Sequence, residues 1–132
     1  MRNVKARYKG IDFDSLSEVG RYVQLETLEK AGLVKDIETQ VRYDCYAHTF
    51  EDSSSKKVCF YKADFRYKRY DPQTDDFIDV VEDVKGRRSG PAWTHFRLKA
   101  KLIHANYGLE IDIIDSKDVI DYCPSHLRGR KP

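Results

Sequence analysis

The chain has 132 residues, of which 40% are hydrophobic, 35% charged and 12% aromatic, with a formal charge of +2. At that size folding buries somewhat under ~70% of the surface the unfolded chain would expose, which allows one core and excludes a second independent one. No run approaches the ~20 apolar residues of a membrane-spanning helix, and residues 1–10 lack the apolar stretch of a secretory leader, so the expectation is one domain in the cytoplasm.

The chain opens with a basic arm, residues 1–10, carrying Arg2, Lys5, Arg7 and Lys9 and no acid. Such an arm suits a DNA backbone, with Lys5 and Arg7 as contacts, and equally suits a disordered solubilising end. Ser15-Leu16-Ser17-Glu18 then has the form of a capping box, and helix formers follow to Ala31, where Gly32 supplies the stop. Glu18, Tyr22 and Leu25 share one face of that helix. If Glu18 serves only the cap, its carboxylate is expected to be exposed.

Strand periodicity follows. Ile37, Thr39, Val41, Tyr43 and Cys45 alternate with Glu38, Gln40, Arg42 and Asp44, the pattern of a half-buried strand. Residues 57–67 are rich in β-branched and aromatic types, and Asp71-Pro72 to Asp76 reads as the turn before a third strand over 77–85. After a loop containing Ser89-Gly90-Pro91, Phe96, Ala100, Ile103 and Tyr107 recur on one helical face, and Arg97, Lys101 and His104 line another. Asn106-Tyr107-Gly108 ends that helix, Leu109 to Ile114 alternates as a fourth strand, and Ser116 is placed to cap a last short helix through about residue 122. The order is α-β-β-β-α-β. Residues 11–115 form the expected core, and residues 116–132 a short helix and a basic tail with Arg128, Arg130 and Lys131.

The charge is segregated along this order. Residues 71–83 hold six acids and no base, and residues 84–109 hold Lys85, Arg87, Arg88, Arg97, Lys99 and Lys101 and no acid. A positive surface around a negative pocket suits a polyanion held near carboxylates, a combination that invites a divalent metal. The plain alternative is a set of solvated faces. Trp93 can stack on an unpaired base or serve as core packing at the start of its helix.

Asp83 and Lys85 lie two apart on one strand and leave the sheet on the same face. If the second and third strands pair around the 71–76 turn, residues whose numbers sum to about 147 face each other, which puts Asp64 beside Asp83. Like charges so placed repel, and a hard cation relieves them, Mg²⁺ favouring one or two carboxylates plus waters and phosphates. An ordinary Asp83–Lys85 ion pair is the simpler account of that spacing.

Three cysteines (Cys45, Cys59, Cys123) without a C-x-x-C pair fit neither a disulfide framework nor a four-ligand zinc site. His48, His95, His104 and His126 lack the spacing of a metal-binding pair. Gly86-Arg87-Arg88-Ser89-Gly90 lacks the form of a phosphate loop, so ATP use is not expected.

Asp64, Asp83-x-Lys85 on the following strand and an upstream helical Glu18 together resemble the PD-(D/E)xK nuclease superfamily. Phe13-Asp14-Ser15, Arg21, Ala31-Gly32, Gln40, Ala63-Asp64-Phe65, Glu82-Asp83-Val84-Lys85-Gly86 and Tyr107-Gly108 resemble more closely a small phage-associated branch akin to Holliday junction resolvases. The likeness spans roughly residues 10–114. It implies an α/β, restriction endonuclease-like αβββαβ core with a mixed four-stranded sheet flanked by helices. It also implies Mg²⁺ or Mn²⁺ held by Asp64, Asp83 and Glu18, Lys85 as catalytic lysine, and Gln40 supporting a ligand from behind.

The implied activity is cleavage of branched DNA in phage recombination or processing, in the host cytoplasm if the gene is a phage's. Arg87, Arg88, Arg97, Lys99 and Lys101 would grip the DNA, and a homodimer would match the two-fold symmetry of a junction. Ala63 stands where the superfamily's name has proline. In the Glu82-Asp83 doublet, period-2 geometry favours Asp83, because Glu82 points away from Lys85's face. The alternatives are an inactive DNA-binding adaptor of the same fold and a sequence-specific restriction-type nuclease, the latter with little chain left for base-reading elements.

Overall fold

The computed structural model describes residues 5–119. In chain order these form strands β1 (Ala6–Tyr8) and β2 (Ile11–Phe13), helix α1 (Leu16–Lys30), strands β3 (Val34–His48), β4 (Ser55–Asp71) and β5 (Asp76–Lys85), helix α2 (Gly90–Tyr107), strand β6 (Ile111–Asp115) and a 3₁₀ turn over Ser116–Asp118. The fold is α/β: β3-β4-β5-β6 form a mixed sheet, antiparallel between β3, β4 and β5 and parallel between β5 and β6. α2 makes the crossover that a parallel neighbour requires.

Local chemistry sets the helix ends. Ser15 Oγ accepts from the Glu18 N–H at 3.2 Å, satisfying one of the free donors of the first turn. At the other end Gly32 takes φ +78°, and the Gly32 and Leu33 N–H groups donate to the Glu29 and Leu28 carbonyls, both at 3.0 Å, a Schellman closure. α2 begins with Gly90-Pro91 and ends at Gly108. Its last turn fastens to the free edge of β3, with Tyr107 Oη donating to the Asp44 carbonyl at 2.6 Å and Asn106 bonding both the N–H and carbonyl of Tyr46.

The core has two parts. Phe13, Val19, Leu25, Val34, Phe65, Tyr67 and Val80 pack under α1. Tyr43, Cys45, Tyr61, Ala63, Val81, Phe96 and Ile103 pack under α2. Adjacent β5 residues Val80 and Val81 enter different clusters, as the two-residue period of a strand requires, so the helices cover opposite faces of β5. β4 serves both clusters, and Asp64 lies between Ala63 of one and Phe65 of the other. Cys45 and Cys59 face each other across β3 and β4, both as free thiols; Cys123 lies outside the described residues.

Three expectations are corrected. Part of the basic arm is a hairpin: Ala6–Tyr8 pairs with Ile11–Phe13 around Lys9 and Gly10, both at positive φ, the conformation of a tight two-residue turn. Arg7 lies 3.7 Å from Asp12, and Tyr8 Oη and Lys9 Nζ both donate to Glu26 at 2.9 Å, so the hairpin is docked on α1 and Lys5 is exposed at its start. The central hairpin is longer than the alternation suggested, β3 and β4 running over 34–48 and 55–71. Finally, Asp115, rather than Ser116, caps the last turn, accepting from the Lys117 N–H at 3.1 Å; the rest of the expected last helix and the basic tail lie outside the described residues. No helix among the described residues is long and apolar enough to cross a membrane.

Candidate functional site

The β4–β5 ladder runs from Asp71↔Asp76 to Phe65↔Glu82, each pair summing to 147 as the turn position suggested. There the strands part. β4 continues with β3 alone and β5 continues with β6 alone, and the next residues in the fork are Asp64 and Asp83. The Val84 N–H donates to Asp64 Oδ2 at 2.8 Å, so a side chain takes the place of a backbone carbonyl where the ladder ends. The carboxyls of Asp64 and Asp83 are within hydrogen-bonding reach of each other.

Glu18 enters this fork from α1. Glu18 is only 7% exposed, which overturns the expectation of a purely capping role. It accepts from Ser15 Oγ at 3.2 Å and from Gln40 Nε2 at 3.4 Å and reaches the Asp64 carboxyl. Glu18, Asp64 and Asp83 thus form one chain of acids, the first delivered by a helix and the others by adjacent strands.

Burial first, then Asp83 and Glu18 as acidic neighbours, hold the Asp64 carboxyl well above the ordinary carboxylate range. Glu18 is also raised, by burial and then by Asp14. Neighbouring carboxyls in a low-dielectric setting cannot all ionise without help; they share protons or a cation. Among the described residues no group of three or more His, Cys, Asp and Glu side chains is arranged so that it could hold a metal ion. The donors that do converge are hard carboxylate oxygens, the type Mg²⁺ and Mn²⁺ take, and Mg²⁺ needs only one or two from protein.

Lys85 Nζ lies 3.4 Å from Asp83 Oδ2, with the lysine side chain 26% exposed and the aspartate 7%. It also sits 4.1 Å from the centre of the Phe96 ring, which holds the ammonium at the mouth of the fork. Tyr61 Oη donates to the same Asp83 oxygen at 2.7 Å within the core. Sequence reasoning missed Tyr61; its strand position marks it only as a core aromatic.

Glu82 has a different environment. It is 1% exposed, and Arg21 grips it through Nε at 2.6 Å and Nη2 at 3.1 Å. Tyr67 Oη donates to it at 2.7 Å. This carboxylate is satisfied by a bidentate cation and a phenol on the α1 side, as the two-residue period of β5 implies. Between the members of the doublet, Asp83 is the one beside Lys85.

Gln40 occupies a row no motif announces. β3 and β4 pair with sums of 104 from Thr39↔Phe65 to Val41↔Ala63, and the pair between them, Gln40 opposite Asp64, is absent from the ladder. Gln40 has φ +56°, a left-handed conformation that costs a non-glycine residue roughly 1–2 kcal/mol. That kink puts its amide on Glu18.

The basic residues divide. Arg87 and Arg88 are exposed on the loop after Lys85, and Arg97 and Lys101 are exposed one turn apart on α2. Lys99 turns instead toward the central hairpin, 5.5 Å from the Phe60 ring that also carries Arg42 at 4.0 Å. Lys5 and Arg7 belong to the docked N-terminal hairpin. Trp93 is partly buried, stacked on Phe96 at 5.5 Å, so core packing and an accessible edge coexist.

No curated protein matches the chain, and no solved structure does. One family matches residues 1–118, nearly the whole length, and on that match the chain belongs to the family described as a protein of unknown function, DUF1064.

Proposed function

We propose that the chain is a metal-dependent DNA endonuclease of the PD-(D/E)xK kind, with a restriction endonuclease-like core, acting on branched, Holliday junction-like DNA in phage recombination or processing. The observation that carries this reading is the fork itself: Glu18 beside Asp64, Asp64 beside Asp83, and Lys85 3.4 Å from Asp83. A protein that only bound DNA would gain nothing from three carboxyls facing a phosphate backbone.

Asp64, Asp83 and Glu18 would hold Mg²⁺ or Mn²⁺, which when bound neutralises negative charge on a phosphate undergoing displacement. Lys85 supplies a second positive charge at the mouth of the fork, where it stabilises charge developing on the phosphate and orients an attacking water. Tyr61 fixes the Asp83 carboxylate, and Val84 fixes Asp64, so neither must be ordered when substrate arrives. Gln40 holds Glu18. Arg87, Arg88, Arg97 and Lys101 carry exposed positive charge for phosphates. Two copies of the chain would match the two scissile strands of a junction.

Supercoiled plasmid carrying an extruded cruciform, a branched structure, incubated with Mg²⁺, Mn²⁺ or EDTA tests the activity. The wild type is expected to nick it with either metal and not in EDTA, and Lys85→Ala to lower the rate by at least about 100-fold, the scale of losing one charge-stabilising group. Intact plasmid under every metal contradicts the reading.

A further inference from the structure

Beside Lys85, α2 and β6 enclose a groove of about 440 Å³, within the ~300–1,000 Å³ range of small-ligand sites. Its chemistry is of two kinds. Trp93 and Phe96 form an aromatic wall, their rings stacked 5.5 Å apart with planes 29° apart. Arg97 and Lys101 bring the positive charge, His104 lies beside them, and Glu110 is the acid among the lining residues. Arg97 and Lys101 are exposed and have no ion-pair partner among the described residues. The Arg88 guanidinium lies 6.0 Å from the Trp93 ring centre, at the limit of cation–π reach, where it is placed to meet a phosphate as well as the ring.

The groove is continuous with the carboxylate fork through one residue. Phe96 lines the groove, and its ring carries Lys85 Nζ at 4.1 Å. A ligand on the aromatic wall therefore lies one side chain away from the lysine. An apolar peptide segment would leave Arg97 and Lys101 without partners, and a small anion would leave the aromatic wall unused. A nucleotide uses both, its base against the rings and its phosphates against the cations. Glu110 does not oppose this, since a carboxylate accepts from an exocyclic base amine.

We propose that this groove receives one unpaired base of the DNA strand engaged at the Glu18–Asp64–Asp83–Lys85 fork, stacking it at Trp93 and holding the flanking phosphates with Arg97 and Lys101. The inference rests on the nuclease reading for the position of the strand. It adds a reason for structure selectivity: a fully paired duplex keeps its bases stacked and offers none to the groove, whereas a branch point or a frayed strand offers one at little cost.

Trp93 is the chain's one tryptophan, so its fluorescence reports the groove directly. The titration is done in EDTA with a short unstructured single strand of dA and dC, whose bases carry exocyclic amines, and with a blunt duplex of equal length. The single strand is expected to quench Trp93 and the duplex to leave it nearly unchanged. Trp93→Ala, checked for folding by circular dichroism, is expected to weaken single-strand binding about tenfold in anisotropy of a labelled strand, the scale of one lost stacking contact. Trp93→Phe is expected to recover most of that loss, and duplex binding to stay nearly constant in both variants.

Absence of quenching at saturating single strand overturns the proposal, as does equal weakening of single-strand and duplex binding in folded Trp93→Ala. Quenching that tracks protein concentration without DNA also overturns it, because a second copy then fills the groove. The two readings fail separately: quenching without metal-dependent cutting keeps the groove and removes the nuclease, and cutting with a silent Trp93 does the reverse.

Discussion

The Val84 N–H, two residues past the last backbone pair of β4 and β5, donates to Asp64 Oδ2 at 2.8 Å. The ladder thus ends on a carboxyl group, and the two strands diverge around it. A carboxyl anchored to backbone has little rotamer freedom left to lose when it takes a ligand, and Tyr61 does the same for Asp83 at 2.7 Å. Acids that would repel one another are held at a fixed spacing by the sheet, and the cost of that spacing is visible in the raised pKa of Asp64.

Asp64 gives a pH signature. Its folded-state pKa lies above the unfolded value because of burial and of Asp83 and Glu18 beside it. A folded state that binds this proton more tightly than the unfolded chain loses stability as pH rises above the ordinary carboxylate range, about 4. Metal-free protein is expected to melt at a lower temperature at about pH 8 than at about pH 5, and Asp64→Asn to flatten that slope. Protons and cations compete for the same oxygens, so Mn²⁺ is expected to raise the melting temperature more at the higher pH. Thermal melts of both proteins across pH, with and without Mn²⁺, check this; a slope that survives Asp64→Asn contradicts it.

Glu82 and Asp83 are neighbours with separate jobs. Arg21→Ala leaves the Glu82 carboxylate buried with only Tyr67 as partner, and breaking such a pair from one side costs about 3–5 kcal/mol. Urea denaturation measures that loss. Glu82→Gln is expected to reduce stability yet keep metal-dependent cutting within about threefold of wild type wherever the protein is folded, since a structural pair contributes to stability and not to barrier lowering. A Glu82→Gln variant that folds and is as inactive as Asp83→Asn would reverse the assignment within the doublet.

Gln40 exchanges backbone strain for a contact. Glycine adopts φ +56° freely, which recovers roughly 1 kcal/mol, and loses a similar amount through its larger unfolded entropy. Gln40→Gly is therefore expected to stay within about 1 kcal/mol of wild type in urea while cutting about tenfold more slowly, because Glu18 loses its amide donor. Unchanged cleavage would make Gln40 an irregularity of β3 with no part in the site.

The elements with long periodic signals were legible. Ser15 and Gly32 bound α1, Gly108 closes α2, and the 71–76 turn sets a register in which Asp64 and Asp83 meet at the end of the ladder. The N-terminal hairpin escaped because two three-residue strands are too short to show a period, and its turn, Lys9-Gly10, lies inside a run of basic residues that reads as a tail. The burial of Glu18 escaped because a capping box describes a local bond, while exposure is decided by what packs over the helix. The Arg21–Glu82 pair spans 61 positions, and the left-handed Gln40 depends on the register of a neighbouring strand; neither leaves a trace in local sequence.

Cleavage of a labelled four-way junction, beside matched linear duplex and single strand, in Mg²⁺, Mn²⁺ or EDTA, for wild type and Asp83→Asn, tests the central claim most directly. The account expects metal-dependent cutting of the junction in preference to duplex, lost by at least about 100-fold in Asp83→Asn, with junction binding retained. Tight junction binding with no cutting under any metal would contradict it, making the chain a DNA-binding adaptor and withdrawing the catalytic roles of Asp64, Asp83 and Lys85.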